Sequence, residues 1–298
     1  MGNDVAKNIL HMFSPLRHMS PFDVNMALDA GYDNVIPYTD VQLEEIRSLV
    51  QDAMFSRSPK DATHTGVFIA GRDVVLALDM LEQFRKALLP PFEISVFADP
   101  SGAFTTAAAM VASVEKLLHR WKRKTLKGIR LVNLGSTGPV GYTCGVIAAL
   151  EGAEVLLTAR DIESVQATAD EIKSRFGVTV KAARANSPEE IAAVLQGQEV
   201  VLATVAAGVQ VLSSAMLASA KSVCIAADVN AVPPAGIEGI DLMANGTELA
   251  GGKLGIGPLT IGDVKYKTEA GLFQKMVVSP TAVSFDFRDA FRLAREFA

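Results

Sequence analysis

Ile129-Arg130-Leu131-Val132-Asn133-Leu134-Gly135-Ser136-Thr137-Gly138-Pro139-Val140-Gly141 is the stretch that decides the fold. A short apolar run ends in three glycines spaced three apart, and an apolar, helix-compatible segment, residues 143–150, comes directly after it. This is the strand, tight turn and helix start of a dinucleotide-binding unit. Glycine lets the backbone turn sharply and approach a pyrophosphate, whose charge is drawn to the N–H groups and positive dipole end of the helix. The spacing is Gly-x-x-Gly-x-x-Gly rather than the commoner Gly-x-Gly-x-x-Gly, so the turn gains its meaning from the second strand of the unit.

That second strand, 154–158, closes on Ala159-Arg160-Asp161, at the place where this fold meets the adenosine ribose, about 20 residues after the glycines. An acidic side chain there accepts from a 2′-hydroxyl and favours NAD, whereas an arginine pairs with a 2′-phosphate and admits NADP. Arg160 beside Asp161 predicts a site that takes NADP without excluding NAD.

Outward from this unit, strands near 129–134, 154–158, 178–182, 199–204 and 222–227 alternate with helices near 140–151, 162–176, 188–196 and 213–219. They predict a Rossmann-type, doubly wound parallel sheet over residues 127–285. The pyrophosphate falls to Gly135, Ser136, Thr137, Gly138, Pro139, Val140 and Gly141. Thr204, Ala206, Asp228 and Asn230, at the ends of the fourth and fifth strands, and Ile256 and Gly257 in a glycine-rich segment are expected to complete the cofactor site.

Toward the N-terminus a second α/β alternation predicts strands at 9–13, 34–38, 65–70 and 94–98 with helices at 22–30, 41–54 and 74–88, the first capped by Ser20 with Pro21 in its first turn. This first α/β domain spans 1–126 and is completed by the C-terminal helix, 286–298. The active-site cleft is expected between the two domains. Functional side chains in such sheets collect at the carboxyl ends of the strands, which makes Ser14, His18, Tyr38, Asp73, Asp99, Ser101, Gly102, Thr105 and Thr106 the substrate-side candidates. The charges Asp23, Arg57, Lys60, Lys265 and Lys267 join them, since acidic groups need cations and heterocycle N–H groups need carboxylates. Lys265 and Lys267 share a side in a strand and diverge in a helix.

A net charge of −5 over 298 residues argues against a nucleic-acid face, and the basic run 119–124 reads as a solvated helix end. Two cysteines, Cys144 and Cys224, offer no disulfide framework, and four histidines show no paired ligand spacing, so no metal is expected. No Gly-x-Ser-x-Gly elbow is present. The first ten residues lack a basic segment leading into an apolar core, and the longest apolar window, 200–212, is shorter than a span. A cytoplasmic protein without membrane or nucleic-acid partners is expected. Hydride transfer fits what remains, with the protein supplying position and exclusion of water.

Four segments, Asp99 to Ala109, Gly135 to Gly141, Ala227 to Pro234 and Gly255 to Leu259, resemble the methylenetetrahydromethanopterin dehydrogenases of methylotrophic bacteria, over nearly the whole chain. The resemblance is to the type accepting both NAD and NADP. It implies oxidation of 5,10-methylenetetrahydromethanopterin to the methenyl form in formaldehyde oxidation, and a homotrimer or homohexamer. The family's NADP-specific members carry Gly-Arg-Lys after the second strand, where this chain has Ala159-Arg160-Asp161. Related bifunctional folate enzymes carry a Tyr-x-x-x-Lys motif; Tyr38 is followed four later by Gln42 and Tyr32 by Ile36, so no cyclohydrolase activity is expected. The implied cation left by hydride loss makes Asp99 and then Asp23 the catalytic candidates, with Lys265 or Lys267 holding the pterin. Rival readings are a methylenetetrahydrofolate or shikimate-type dehydrogenase, and a protein that senses NAD(P) without turnover.

Overall fold

The computed structural model describes residues 6–298, the side chain of Lys122 excepted. The expectation of no leader rests partly on residues 1–5, which lie outside the described residues. The chain forms two compact units, 1–105 with 266–293, and 106–265 with 294–298.

The first unit begins with β1 (Ile9–Phe13), α1 (Pro21–Asp29), β2 (Asn34–Tyr38), α2 (Ile46–Phe55), β3 (Thr65–Ile69), α3 (Val74–Ala87) and β4 (Ser95–Ala98). From there α4 (Ala103–Lys122) leads into the second unit, with β5 (Arg130–Leu134), α5 (Pro139–Leu150), β6 (Glu154–Ala159), α6 (Ile162–Phe176), β7 (Lys181–Arg184), α7 (Pro188–Val194), β8 (Val200–Ala203), α8 (Ser214–Ser219), β9 (Ile225–Asp228), β10 (Asn245–Leu249) and β11 (Lys253–Ile256). The chain returns through α9 (Pro258–Val278) to β12 (Ser284–Phe285) and α10 (Phe287–Phe297).

The first sheet has the order β12-β4-β3-β1-β2 and is parallel throughout. Its central strands are continuous apolar runs because helices cover both faces of a parallel sheet; every residue of β3 is buried. Phe68, Phe97 and Phe273 of α9 form its aromatic centre, with ring centroids 5.2–5.4 Å apart. The second sheet has the order β10-β11-β9-β8-β5-β6-β7 and is parallel except for the β10–β11 pair. Val132, Leu134, Val201, Ala203 and Leu217 anchor its core. Both sheets meet the α/β expectation; the β10–β11 hairpin and β12 were not expected, and β7 lies two to three residues beyond the expected strand.

The units differ from the expected domain ranges at three helices and at β12: residues 294–298, the end of α10 and Ala298, fall in the second unit, and β12 falls in the first. Most of α4 packs in the second unit, where Met110 Sδ lies 3.8 Å from Cys144 Sγ and Glu115 binds Arg295 at 2.6 Å. The second half of α9 belongs to the first unit because Phe273 and Met276 are buried there. Among the described residues no helix is long and apolar enough to cross a membrane.

Candidate functional site

The glycine turn separates three tasks. Gly135 has φ +90°, a left-handed backbone that favours glycine, and a Cβ there would meet the Val205 backbone at 2.9 Å. Gly141, in the first turn of α5, packs so closely that a Cβ would stand 2.5 Å from the Gly135 carbonyl and 2.7 Å from Thr204 Oγ1. Gly138 is the N-cap of α5 with ordinary φ, and a Cβ there would meet nothing within 4 Å. Open space therefore stands over the start of a twelve-residue helix whose cap residue offers no side-chain hydrogen bond.

That space is a cavity of about 780 Å³ within the second unit, a volume ordinary for a ligand site. Of the residues expected to hold the cofactor, Gly135, Thr137, Gly138, Pro139, Val140, Arg160, Thr204 and Ala206 line it. Beneath it, Asn133 Nδ2 donates to the Gly141 carbonyl at 2.8 Å, and Thr204 Oγ1 lies 2.8 Å from Asn133 Oδ1. A backbone cradle, an uncapped helix start and an arginine at the far rim fit a dinucleotide.

Several expected cofactor residues are placed otherwise. Ser136 is fully buried, donating to the Asn133 carbonyl at 2.7 Å and accepting from Thr158 N–H at 3.0 Å, so it joins β5 to β6 under the turn. Asp161 does not line the cavity: its Oδ2 caps α6, accepting from the N–H and hydroxyl of Ser164 at 2.9 and 2.5 Å. Those bonds hold its carboxyl below the usual range. Buried Asp228 accepts from Asn230 and Ile237 N–H groups at 2.9 and 3.0 Å. Burial pushes its carboxyl up, opposed by those N–H groups. Asn230 in turn accepts from Gly208 N–H and donates to the Pro234 carbonyl. Asp228 and Asn230 thus organise loops outside the cavity lining. Ile256 is buried in β11, and Gly257 abuts the 241–242 backbone.

The substrate candidates of the first unit divide the same way. Asp73 Oδ1 caps α3 through Val75 and Leu76 N–H groups. Asp99 is fully buried, its Oδ1 accepting from Phe104 N–H at 2.8 Å and its Oδ2 from the Thr105 hydroxyl at 2.5 Å. Ser14 is buried and accepts from Leu16 N–H, and Asp23 is buried in the first turn of α1. Tyr38 turns toward His11, whose Nδ1 lies 3.1 Å from the phenol oxygen; burial and then the Arg57 charge hold His11 below its usual pKa. His18 is exposed, and Thr106 is half-buried in the part of α4 that belongs to the second unit.

Ser101, held left-handed at φ +53°, is also exposed, and its hydroxyl donates to the Gly71 carbonyl at 2.7 Å, linking the loops after β3 and β4. Gly102 beside it is buried with φ +65°. Lys265 and Lys267 lie on α9, so they point about 200° apart around the helix. The structure therefore does not bring the two lysines to one face, and it uses Asp99, expected as a catalytic group, as a helix cap.

Sequence reasoning missed Ala185, Asn186, Pro188 and Ile191, which line the cavity beyond β7. A signal was present. Ser187-Pro188-Glu189-Glu190 is a capping box, with Ser187 Oγ accepting from Glu190 N–H and the Glu190 side chain accepting back from Ser187 N–H. It marks the end of the loop after β7 and the start of α7.

Comparison with solved structures places the fold among two-domain α/β proteins. Quinate dehydrogenase from Corynebacterium glutamicum in complex with NAD aligns over 98% of both chains with TM-score 0.56 and 14% identity. Shikimate 5-dehydrogenase from Listeria monocytogenes aligns over 93% of this chain and 94% of its own with TM-score 0.52 and 12% identity. Fold and cavity together define a two-unit α/β protein whose second unit is of Rossmann type, with a cavity at its glycine turn. Residues 21–101 match the family model described as "Methylene-tetrahydromethanopterin dehydrogenase, N-terminal". The NAD(P)-dependent methylenetetrahydromethanopterin dehydrogenase of Methylorubrum extorquens is 49% identical over 296 residues, 99% of this chain and all of that one. A second protein of that organism, described as "Bifunctional protein MdtA", is 35% identical over 99% of this chain and all of its own. The chain belongs to the methylenetetrahydromethanopterin dehydrogenase family, the one the four quoted segments resemble.

Proposed function

We propose that this enzyme takes a hydride from 5,10-methylenetetrahydromethanopterin, leaving the 5,10-methenyl form, with NAD⁺ or NADP⁺ as acceptor. The full-length relationship at 49% identity carries the reading, and the cavity at the glycine turn supports the cofactor half. When bound, the nicotinamide accepts the hydride. The residues of this chain bind and orient. The N–H groups at the start of α5, beside open Gly138, hold the pyrophosphate, and Arg160 stands at the ribose. Thr204 and Asn133 keep that turn rigid from below. The loops after β1, β3 and β4, with exposed His18 and Ser101, are the pterin side.

The substrate's two imidazolidine nitrogens share the positive charge left by hydride loss, so no strong general base is required. Asp99 then acts by holding the 99–105 loop rather than by touching the pterin, which leaves Asp23, in the first turn of α1, as the candidate for a supporting charge. A place in cytoplasmic formaldehyde oxidation of a methylotroph, and a homotrimeric or homohexameric assembly, belong to the same proposal. Purified protein assayed with methylenetetrahydromethanopterin, methylenetetrahydrofolate and shikimate, each with NAD⁺ and NADP⁺, tests it. Reduction of both cofactors with the methanopterin substrate is expected. Binding without turnover, or turnover of another substrate alone, would overturn it.

A further inference from the structure

Arg184 ends β7 and pairs across the sheet with Ala159, the residue before Arg160. Its Nε stands 3.5 Å from Glu190 Oε1. The other oxygen of that carboxylate accepts from Asn186 and Ser187 N–H groups at 2.7 and 3.3 Å, so Glu190 is fixed at the start of α7. Ala185 and Asn186, the next residues after Arg184, line the cavity. About half of the arginine side chain is exposed. Arg160, Asp161, Arg184 and Glu190 thus set two cations and two anions around the ends of β6 and β7. Arg184 also contributes to holding the Asp161 carboxyl low, so the two side chains share one field.

We infer that Arg184 is a second cation for the cofactor's 2′-phosphate, tethered by Glu190 so that NADP must draw it away from that carboxylate. The inference rests on the reading that the glycine turn holds the pyrophosphate. A guanidinium matches phosphate oxygens through paired N–H donors, which a 2′-hydroxyl cannot exploit to the same degree. Glu190 competes for those donors and weakens the NADP preference that Arg160 and Arg184 would otherwise impose. With a 2′-hydroxyl present the four charges balance, and Arg184 stays on Glu190. A neutral rim of this kind accepts both cofactors, and the tether sets the ratio between them.

The test is titration of the purified enzyme with NADH and NADPH, followed by cofactor fluorescence. Glu190→Gln keeps the capping box, which glutamine also satisfies, and removes only the competing charge. Its ratio of NADPH to NADH affinity should rise about two- to fivefold, the scale of one partly exposed ion pair. Arg184→Gln should lower the same ratio by a similar factor, and both shifts should shrink in high salt. Thermal unfolding of each variant checks that the fold is retained. An unchanged ratio in either variant, or shifts of the same sign in both, overturns the inference while leaving the cavity's assignment intact. If the unaltered protein binds neither nucleotide, that assignment fails and the inference falls with it.

Discussion

Thr204 Oγ1 lies 2.8 Å from Asn133 Oδ1, joining the end of β8 to β5 directly under the glycine turn. The same hydroxyl is within reach of the Leu134 and Gly135 carbonyls, and Asn133 passes the connection on to Gly141 in α5. Thr204→Val keeps the shape and leaves Asn133 Oδ1 without that donor. It should cost about 1–3 kcal/mol of stability, the range for a buried polar group losing its partner. Denaturant unfolding and NADH titration together check it: both stability and affinity should fall.

The glycines of the turn should respond differently to substitution. Gly138→Val should leave the unfolding temperature within a few degrees of the original while abolishing cofactor binding, because its side chain has room only in the cavity. Gly141→Ala should instead destabilise by about 1–3 kcal/mol through overpacking against Gly135 and Thr204. Calorimetry and nucleotide titration on the pair distinguish the two; a stable Gly141→Ala protein would contradict the packing.

Asp161→Asn tests the ribose rim without removing the α6 cap. Asparagine caps helices about as well as aspartate, so stability should change by only a few tenths of a kcal/mol. Loss of the anion beside Arg160 should raise the NADP⁺ to NAD⁺ ratio of kcat/KM. A ratio that stays put would assign Asp161 to capping alone.

His11 gives a pH dependence with a definite sign. Its folded-state pKa lies below the ordinary 6.5 because burial and Arg57 disfavour the charged form. Below pH 6.5 the unfolded chain therefore binds more protons at this site than the folded one, and stability falls as the pH drops toward the folded pKa. Above pH 6.5 the contribution is constant. In His11→Gln the unfolding temperature should decline less between about pH 7 and 5 than in the unaltered protein, measured by thermal denaturation across that range.

The turn at Gly135–Gly141 was legible because its demands are local: one left-handed residue, one close packing contact and one open position leave glycine at each. The substrate side was less legible for an equally local reason. Asp73, Asp99 and Thr105 stand where a strand hands over to a helix, and acids and hydroxyls at that junction are also the best helix caps. Chain position alone does not distinguish a carboxylate aimed at a ligand from one accepting backbone N–H groups. β7 was expected too early because Lys181-Ala182-Ala183-Arg184 has neither alternation nor an apolar run, being half-exposed at the sheet's margin. The β10–β11 hairpin escaped because Asn245-Gly246-Thr247-Glu248 reads as a turn.

The order of the second sheet leaves β7 and β10 as its outermost strands. Each carries exposed charge: Lys181 and Arg184 on one, Glu248 on the other, where the register of β10 against β11 also shifts between Asn245 and Thr247. An unpaired strand edge is a template for another chain, and charged side chains and irregular pairing are what keep it from being used. An apolar residue in place of Arg184 would remove one of those charges and favour edge-to-edge association of the sheet.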